Sequence, residues 1–349
     1  MKCTIQNIAD HLGLSRNTVS KALKNSSEVS ENTRNLVIKT ASKLGYKNAT
    51  FATPVIPASE TDSNGTILFL TRTYASDSEF WTTVLRGIES ILSNANYHLA
   101  ISIMSDSDLK QLNFPQTISD SSIKGIILVE ICDKVVCDAL SQFNLPIVSV
   151  DMPNVPFEEL NGIDVVTMES KKNLKKIINQ LIEKGAESFG FVGDLYSTNV
   201  SRGFQERYNA LSECLAEHQL PLNQKNCLLH QTPEDFRNFQ TTVNNLQAMI
   251  SLPDVFICGN DWTAIQLIYA LQFLGFQIPK DICVVGFDNI PAASRISPSL
   301  TTISTPQKYL GIAAARQILE RIQHPNCPHV FCQYETELII RNSTNITSF

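Results

Sequence analysis

The chain opens with three short stretches whose apolar positions recur at helical spacing. Ile5, Ile8, Ala9 and Leu12 fall at i, i+3, i+4 and i+7, with Thr4 before them as a natural N-cap. Gly13 follows, a residue able to take the left-handed turn that ends a helix. Ser15 caps a second helix with Val19, Ala22 and Leu23 on its inner face. Ser30 caps a third, with Thr33, Val37, Ala41 and Leu44 inward and Gly45 closing it. Ala9, Gly13 and Val19 stand where two steeply crossing helices need a small residue, a turn glycine and a branched apolar group. The segment predicts a helix-turn-helix. A generic three-helix bundle is the plainer alternative.

From residue 65 the period changes. Short, nearly continuous apolar runs appear: TILFL (66–70), LAISI (99–103), GIILV (125–129), PIVSV (146–150), SFGFVG (188–193), DVFICG (254–259) and ICVVGFD (282–288). Between them lie amphipathic patterns such as WTTVLRGIESILSNA, KKNLKKIINQLIEKG, FQERYNALSECLAEH and DWTAIQLIYALQFLG. Strands apolar on both faces and separated by helices imply parallel sheets covered on both sides. The region is long enough for two such doubly wound sheets, which bind ligands beyond the carboxyl ends of their strands. The expected class is α/β with an all-α head.

Composition narrows the choice. Apolar residues make up 43% and charged residues 18% of 349, the profile of a globular protein with a sizeable core. The apolar runs are far shorter than the roughly 18–20 residues that cross a bilayer, so no membrane partner is expected. The opening MKCTIQNIADHLG lacks the apolar core of a signal peptide. Nine cysteines, odd in number and without a CxxC pair, suggest neither zinc nor a disulfide framework but buried thiols in a reducing cytoplasm. The charge is divided: residues 1–48 carry eight Lys or Arg against three acids, a balance of +5, while the remainder carries −11. A basic head on an acidic body suggests that the head meets a polyanion.

Enzyme signatures are missing. No GxSxG, P-loop, HExxH or GxGxxG string occurs, and the SxxK string from Ser121 to Lys124 lacks its usual companions. Neither catalysis nor a cofactor or metal is expected.

The residues carry a family resemblance at both ends. TIQNIADHLGLSRNTVSKALKN followed by VSENTRNLVIKTASKLGY resembles the DNA-binding head of the lactose-repressor (LacI/GalR) family. GNDWTAIQLIYALQFLGFQIPKDICVVGFDNIPAASRISPSLTTI is similar to that family's C-terminal signature. The resemblance implies a homodimeric transcriptional regulator, expected to be a repressor. Its partners would be double-stranded DNA with a pseudo-palindromic operator and a small effector, expected to be a sugar or sugar derivative, in a body like periplasmic sugar-binding proteins. It also implies a helix-turn-helix domain over 1–48, a linker over 49–64, an effector-binding and dimerisation domain over 65–341 and a tail over 342–349. Within the body, one lobe is expected over about 65–162 and 292–323, the other over about 163–291 and 324–341.

Site residues follow by position. The outward residues at the start of the second helix, Arg16 and Asn17, with Ser20 and Lys21 a turn later, face base edges. Arginine pairs bidentately with guanine and asparagine with adenine, about 1–3 kcal/mol of discrimination per contact. Thr4, Ser15, Lys24 and Arg34 are candidates for phosphate contacts, which fix register. In the body, RYNALSECL (207–215) is similar to the family's R-x-x-G-F-x-x-A-L stretch and makes Arg207 the effector arginine, with Ala210 and Leu211 replacing the usual glycine and aromatic. Asn260, Asp261, Asp288 and Asp151 match positions that bind effector hydroxyls, and Tyr74, Phe80 or Trp81 could cover an apolar sugar face. Plainer roles compete: Asp261 as a helix N-cap, Asp288 as a turn former, Arg207 in a surface ion pair with Glu206 or Glu213, and Phe80 in the core.

The linker departs from the family. Its usual hinge helix reads P-x-x-x-A-R-x-L, whereas here Asn48, Thr53 and Val55 replace the proline, arginine and leucine, and only Ala52 is kept. Pro54 inside that span costs a helix about 3 kcal/mol, so the hinge helix is expected to be absent or short. Val55 or Ile56 remains a candidate minor-groove wedge. A second reading follows: a metabolite sensor whose operator binding is weak or lost. NSTNITSF at the end has no leucine heptad, which favours a dimer over a coiled-coil tetramer.

Overall fold

The computed structural model describes residues 4–23, 29–43, 63–72, 78–195, 201–230 and 238–346. Lys24, Leu44, Gly45, Val55 and Tyr74 lie outside them, as does the linker segment on which the hinge expectation rests. Two compact units divide the chain, 1–62 and 63–349.

The first unit is three helices: α1 (Ile5–Leu12), α2 (Arg16–Leu23) and α3 (Glu31–Lys43). Thr4 and Asn7 cap α1 reciprocally: Thr4 Oγ1 accepts from the Asn7 amide, and Asn7 Oδ1 accepts from the Thr4 amide. Gly13 ends the helix at φ 64°, a conformation costly for a residue with a Cβ. Ile8, Ala9, Val19, Ala22, Val29, Val37 and Ala41 close into one buried cluster. Ala9 and Val19 are both in it, which is the close packing that their spacing predicts.

The second unit holds two six-stranded sheets. One runs in the order β11-β5-β4-β3-β1-β2, and all its pairings are parallel. Its strands are β1 (Thr66–Thr71), β2 (His98–Ile103), β3 (Ile123–Val129), β4 (Ile147–Val150), β5 (Ile163–Met168) and β11 (Phe331–Tyr334). The other runs β12-β10-β9-β8-β6-β7 and is parallel except where β12 meets β10. It is built from β6 (Phe189–Asp194), β7 (Leu228–His230), β8 (Val255–Cys258), β9 (Cys283–Asp288), β10 (Thr301–Ser304) and β12 (Glu337–Ile339). The helices that matter for the site are α4 (Glu79–Leu92), α5 (Asp106–Gln111), α6 (Lys134–Leu140), α7 (Lys172–Glu183), α8 (Arg202–Glu217), α9 (Phe239–Ala248), α10 (Asp261–Phe273) and α11 (Gln307–Gln323).

The lobe limits differ from those read in the sequence. Strand β5, placed there in the second lobe, pairs with β4 in the first sheet. Residues 301–304, placed in the first, form β10 of the second sheet. Strand β11, at 331–334, returns to the first sheet beside β5. A buried ion pair explains why β5 stays: Asp164 is 0% exposed and takes two bonds from Arg321 in the last turn of α11, at 2.8 and 3.0 Å. Residues 342–346 are not a free tail either. Ser343 accepts from the Thr301 amide at 2.8 Å and donates to the Val284 carbonyl, and Ile346 is buried.

Among the described residues no helix is long and apolar enough to cross a membrane. The eight described cysteines are free thiols. Burial pushes Cys132 and Cys258 well up from the ordinary thiol range, which makes them poor nucleophiles.

Candidate functional site

In the head, the side chains that α2 turns outward are those singled out by position. Arg16, Asn17 and Lys21 are exposed and Ser20 half-buried, over the buried Val19 and Ala22. Ser15 holds the helix start, its Oγ accepting from the Thr18 amide at 3.0 Å. Thr4 and Ser15 thus serve first as caps, and each sits at a helix N-terminus where backbone amides favour a phosphate. Arg34 is placed differently from the expectation of an outward phosphate contact. It is half-buried and donates through Nη2 to the Val29 carbonyl at 3.2 Å, so its guanidinium braces the turn before α3.

In the body, the carboxyl ends of β4, β8 and β9 meet the first turns of α8. Arg207 lies in the second turn of α8 and is 3% exposed. Its Nη1 donates to the Gly259 carbonyl just past β8 at 2.7 Å, and its guanidinium lies 3.7 Å above the Phe287 ring and 5.2 Å from that of Phe204. This is not the surface ion pair with Glu206 or Glu213: Glu206 pairs with Arg202, and Glu213 with Lys171 and Lys175. The Arg207 Nε is buried with no hydrogen-bond acceptor among the described residues. Burial holds the guanidinium below its ordinary value, opposed first by Asp288 and then by Asp151.

Asp288 ends β9 at φ 116°, a strained conformation for a residue with a side chain. Its carbonyl is gripped by the chain that leaves for α11, accepting from Gln307 Nε2 at 2.6 Å and Thr305 Oγ1 at 3.2 Å. Its carboxylate makes no hydrogen bond among the described residues; burial pushes it well up from the usual range while Arg207 pulls it back. A half-buried carboxylate in the field of a buried guanidinium with a spare N–H is an arrangement that hydroxyl groups complete. Asp151 follows β4 at φ 73° and is buried. Burial raises its carboxyl as well, against hydrogen bonds from Ser201 and the Met152 amide.

Three further expectations are corrected. Asn260, not Asp261, is the N-cap of α10, its Oδ1 accepting from the Thr263 amide at 2.9 Å. Asp261 does not open to the cleft: it is 0% exposed and braces the loop after β9, accepting from the Ile290 amide at 2.9 Å and from Thr302 Oγ1. The space for that carboxylate comes from Gly286, where a Cβ would stand 2.2 Å from Asp261 Oδ1. Phe80 is 6% exposed and belongs to the core under α4, edge-on to Trp81 at 4.6 Å, rather than to a ligand face. Sequence reasoning missed Phe287, Gly259 and Ser201. The first two read as ordinary strand-end residues, and nothing in the local pattern marks a serine fifty residues from its carboxylate.

Comparison with known proteins agrees with this architecture. Residues 4–48 match the family described as bacterial regulatory proteins, lacI family, and residues 178–344 match the periplasmic binding protein-like domain. The chain is 26% identical over 345 residues to the HTH-type transcriptional repressor PurR of Photobacterium profundum, covering 97% of this chain and 98% of that one. It is 28% identical over 345 residues, with the same coverage, to the ribose operon repressor of Haemophilus influenzae. The solved complex of the transcriptional regulator CelR with cellobiose superposes with a TM-score of 0.68 at 19% identity, covering 98% of this chain and all of that one. A helix-turn-helix head that matches one profile and a two-sheet body that matches the other, along one continuous alignment to such repressors, make this chain similar along nearly its whole length to the lacI family of bacterial regulatory proteins.

Proposed function

We propose that the chain is a sequence-specific DNA-binding transcriptional regulator, a repressor, controlled by an uncharged polyhydroxyl effector held between the lobes of its body. The observation that carries the first half is the outward triplet Arg16, Asn17 and Lys21 on a capped helix whose other face is buried. Arg16 and Asn17 supply the forks that read guanine and adenine, and Lys21 a phosphate or base contact one turn on. Arg207, Asp288 and Asp151 carry the second half. The relatives support a carbohydrate, one named for the ribose operon and one complexed with cellobiose. Phe80 and Asp261 act as framework, and Asn260 contributes through the helix it starts. The protein works in the cytoplasm and performs no catalysis.

The body also offers a surface for a second copy. Trp262, Tyr269 and Phe273 fall at i, i+7 and i+11 of α10 and are 40, 43 and 67% exposed. Phe239 of α9 meets Phe273 edge-on at 5.8 Å. Such a stripe of aromatics on one helix face suits a two-fold interface, where each copy presents the same patch. A homodimer then brings two heads to a pseudo-palindromic operator.

The test is selection of bound fragments from a random DNA library by the full chain, with and without a panel of uncharged mono- and disaccharides. Enrichment of a short pseudo-palindrome, altered by at least one sugar, is expected. Failure to enrich any sequence under all conditions would favour the sensor reading, which Pro54 in the linker keeps alive.

A further inference from the structure

The two lobes are joined covalently by three crossovers, after β5, after β10 and after β11. A fourth connection is not covalent. Past the end of β4, Pro153 forms an isolated antiparallel bridge with Ser201, at the start of α8 in the other lobe. The Arg202 amide donates to the Met152 carbonyl at 3.0 Å, and Arg202 Nη1 reaches Met152 Sδ at 3.6 Å. The Arg202 guanidinium also lies over the ring of Phe331 on β11 of the first sheet, 5.4 Å from its centre.

The centre of this contact is a pair of side chains. Ser201 Oγ donates a short hydrogen bond to Asp151 Oδ2 while accepting from the Gly203 amide at 3.2 Å. The other oxygen, Oδ1, accepts from the Met152 amide at 2.7 Å, and Ser149 Oγ fixes the Asp151 carbonyl at 2.7 Å. The residue is therefore held on every side by protein, in a left-handed conformation, within the field of Arg207.

We propose that Ser201 is a positioning residue of the effector site: its hydroxyl occupies the Asp151 oxygen that a ligand hydroxyl would take and straps the lobes together before any ligand arrives. A ligand that engages Oδ2 competes with Ser201, so occupancy of the site and release of the strap become one event. The strap is read from contacts between described residues alone; only its consequence for control rests on the function proposed above.

One backbone amide reports the strap directly. Arg202 opens α8, and a first-turn amide has no acceptor within its own helix, so its protection comes from Met152 across the lobes. The experiment is amide hydrogen exchange, by NMR on the deuterated full chain without sugar or DNA. Ser201→Asp keeps a capping oxygen for α8 but sets a second carboxylate against Asp151. Ser201→Gly removes the hydroxyl without adding charge, and Ser201→Thr restores it. The Arg202 amide should be protected in the parent and in S201T, and lose about tenfold or more of that protection in S201D and S201G. The Leu211 amide, inside α8, should hold in every variant and thereby report an intact fold. An Arg202 amide already unprotected in the parent, or unchanged in both S201D and S201G, would overturn the proposal. Because neither ligand nor operator enters, its failure leaves the regulator reading untouched, and failure of that reading leaves this result standing.

Discussion

Replacing Asp261 by asparagine should remove this carboxyl's share of the body's loss of stability between acid and neutral pH. Burial pushes this carboxyl from 3.8 to about 7, although Thr302 and the Ile290 amide both donate to it. The folded state therefore binds a proton over a window in which the unfolded chain does not. Stability is fully present below the unfolded value and is lost as pH rises through that window. A shift of this size corresponds to about 4 kcal/mol, of which roughly 3 kcal/mol falls between pH 5 and pH 8. Asparagine keeps the geometry: its oxygen accepts from the Ile290 amide, and its NH2 donates to a Thr302 hydroxyl turned to receive it. Both tryptophans, Trp81 and Trp262, lie in the body, so urea unfolding followed by their fluorescence reads that unit alone. The assay compares parent and D261N at several pH values, and the difference between their curves isolates this carboxyl from the other titrating groups. The parent should lose about 3 kcal/mol relative to D261N from pH 5 to 8. Parallel curves would refute the reasoning, since they would mean that Asp261 ionises in the fold at no cost.

Other expectations follow from particular contacts. Arg321→Met strips the partner from a carboxylate that is 0% exposed and should lower body stability by about 3–5 kcal/mol, most of it recovered on adding Asp164→Asn, measured by the same unfolding assay. Arg16→Ala should relax preference at one base pair of the selected fragment by about 1–3 kcal/mol while changing the salt dependence little, measured by fluorescence anisotropy on single-substituted duplexes. Phe273→Asp places a charge in the exposed aromatic stripe of α10 and should shift sedimentation from dimer to monomer with the fold intact; an unchanged dimer would move the interface elsewhere.

What could be read in advance was what local spacing encodes. The head was legible because each helix carries its own cap, its own apolar face and, in Gly13, its own stop. The central strands were legible because they are apolar on both faces. Strand β5 was not, because Asp164 interrupts its apolar run, and that residue makes sense only beside Arg321, 157 positions later. Strands β11 and β12 are short, half-exposed edge strands and carry too little apolar pattern to declare themselves. At the site, Asn260 and Asp261 are both good caps by type, and only the fold shows that one caps while the other braces a loop. Arg207 could be placed by resemblance, but its seat on Phe287 joins α8 to β9 and is written in no local pattern.

The central claim is that the exposed face of α2 reads DNA sequence. Its most direct measurement is the equilibrium affinity of the full chain for its selected fragment and for a scrambled duplex, across a range of salt. Affinity for the fragment should exceed that for the scrambled duplex at least about a thousandfold at physiological salt. Both affinities should fall with salt while their ratio survives. Equal affinities for the two duplexes at every salt concentration would contradict the claim.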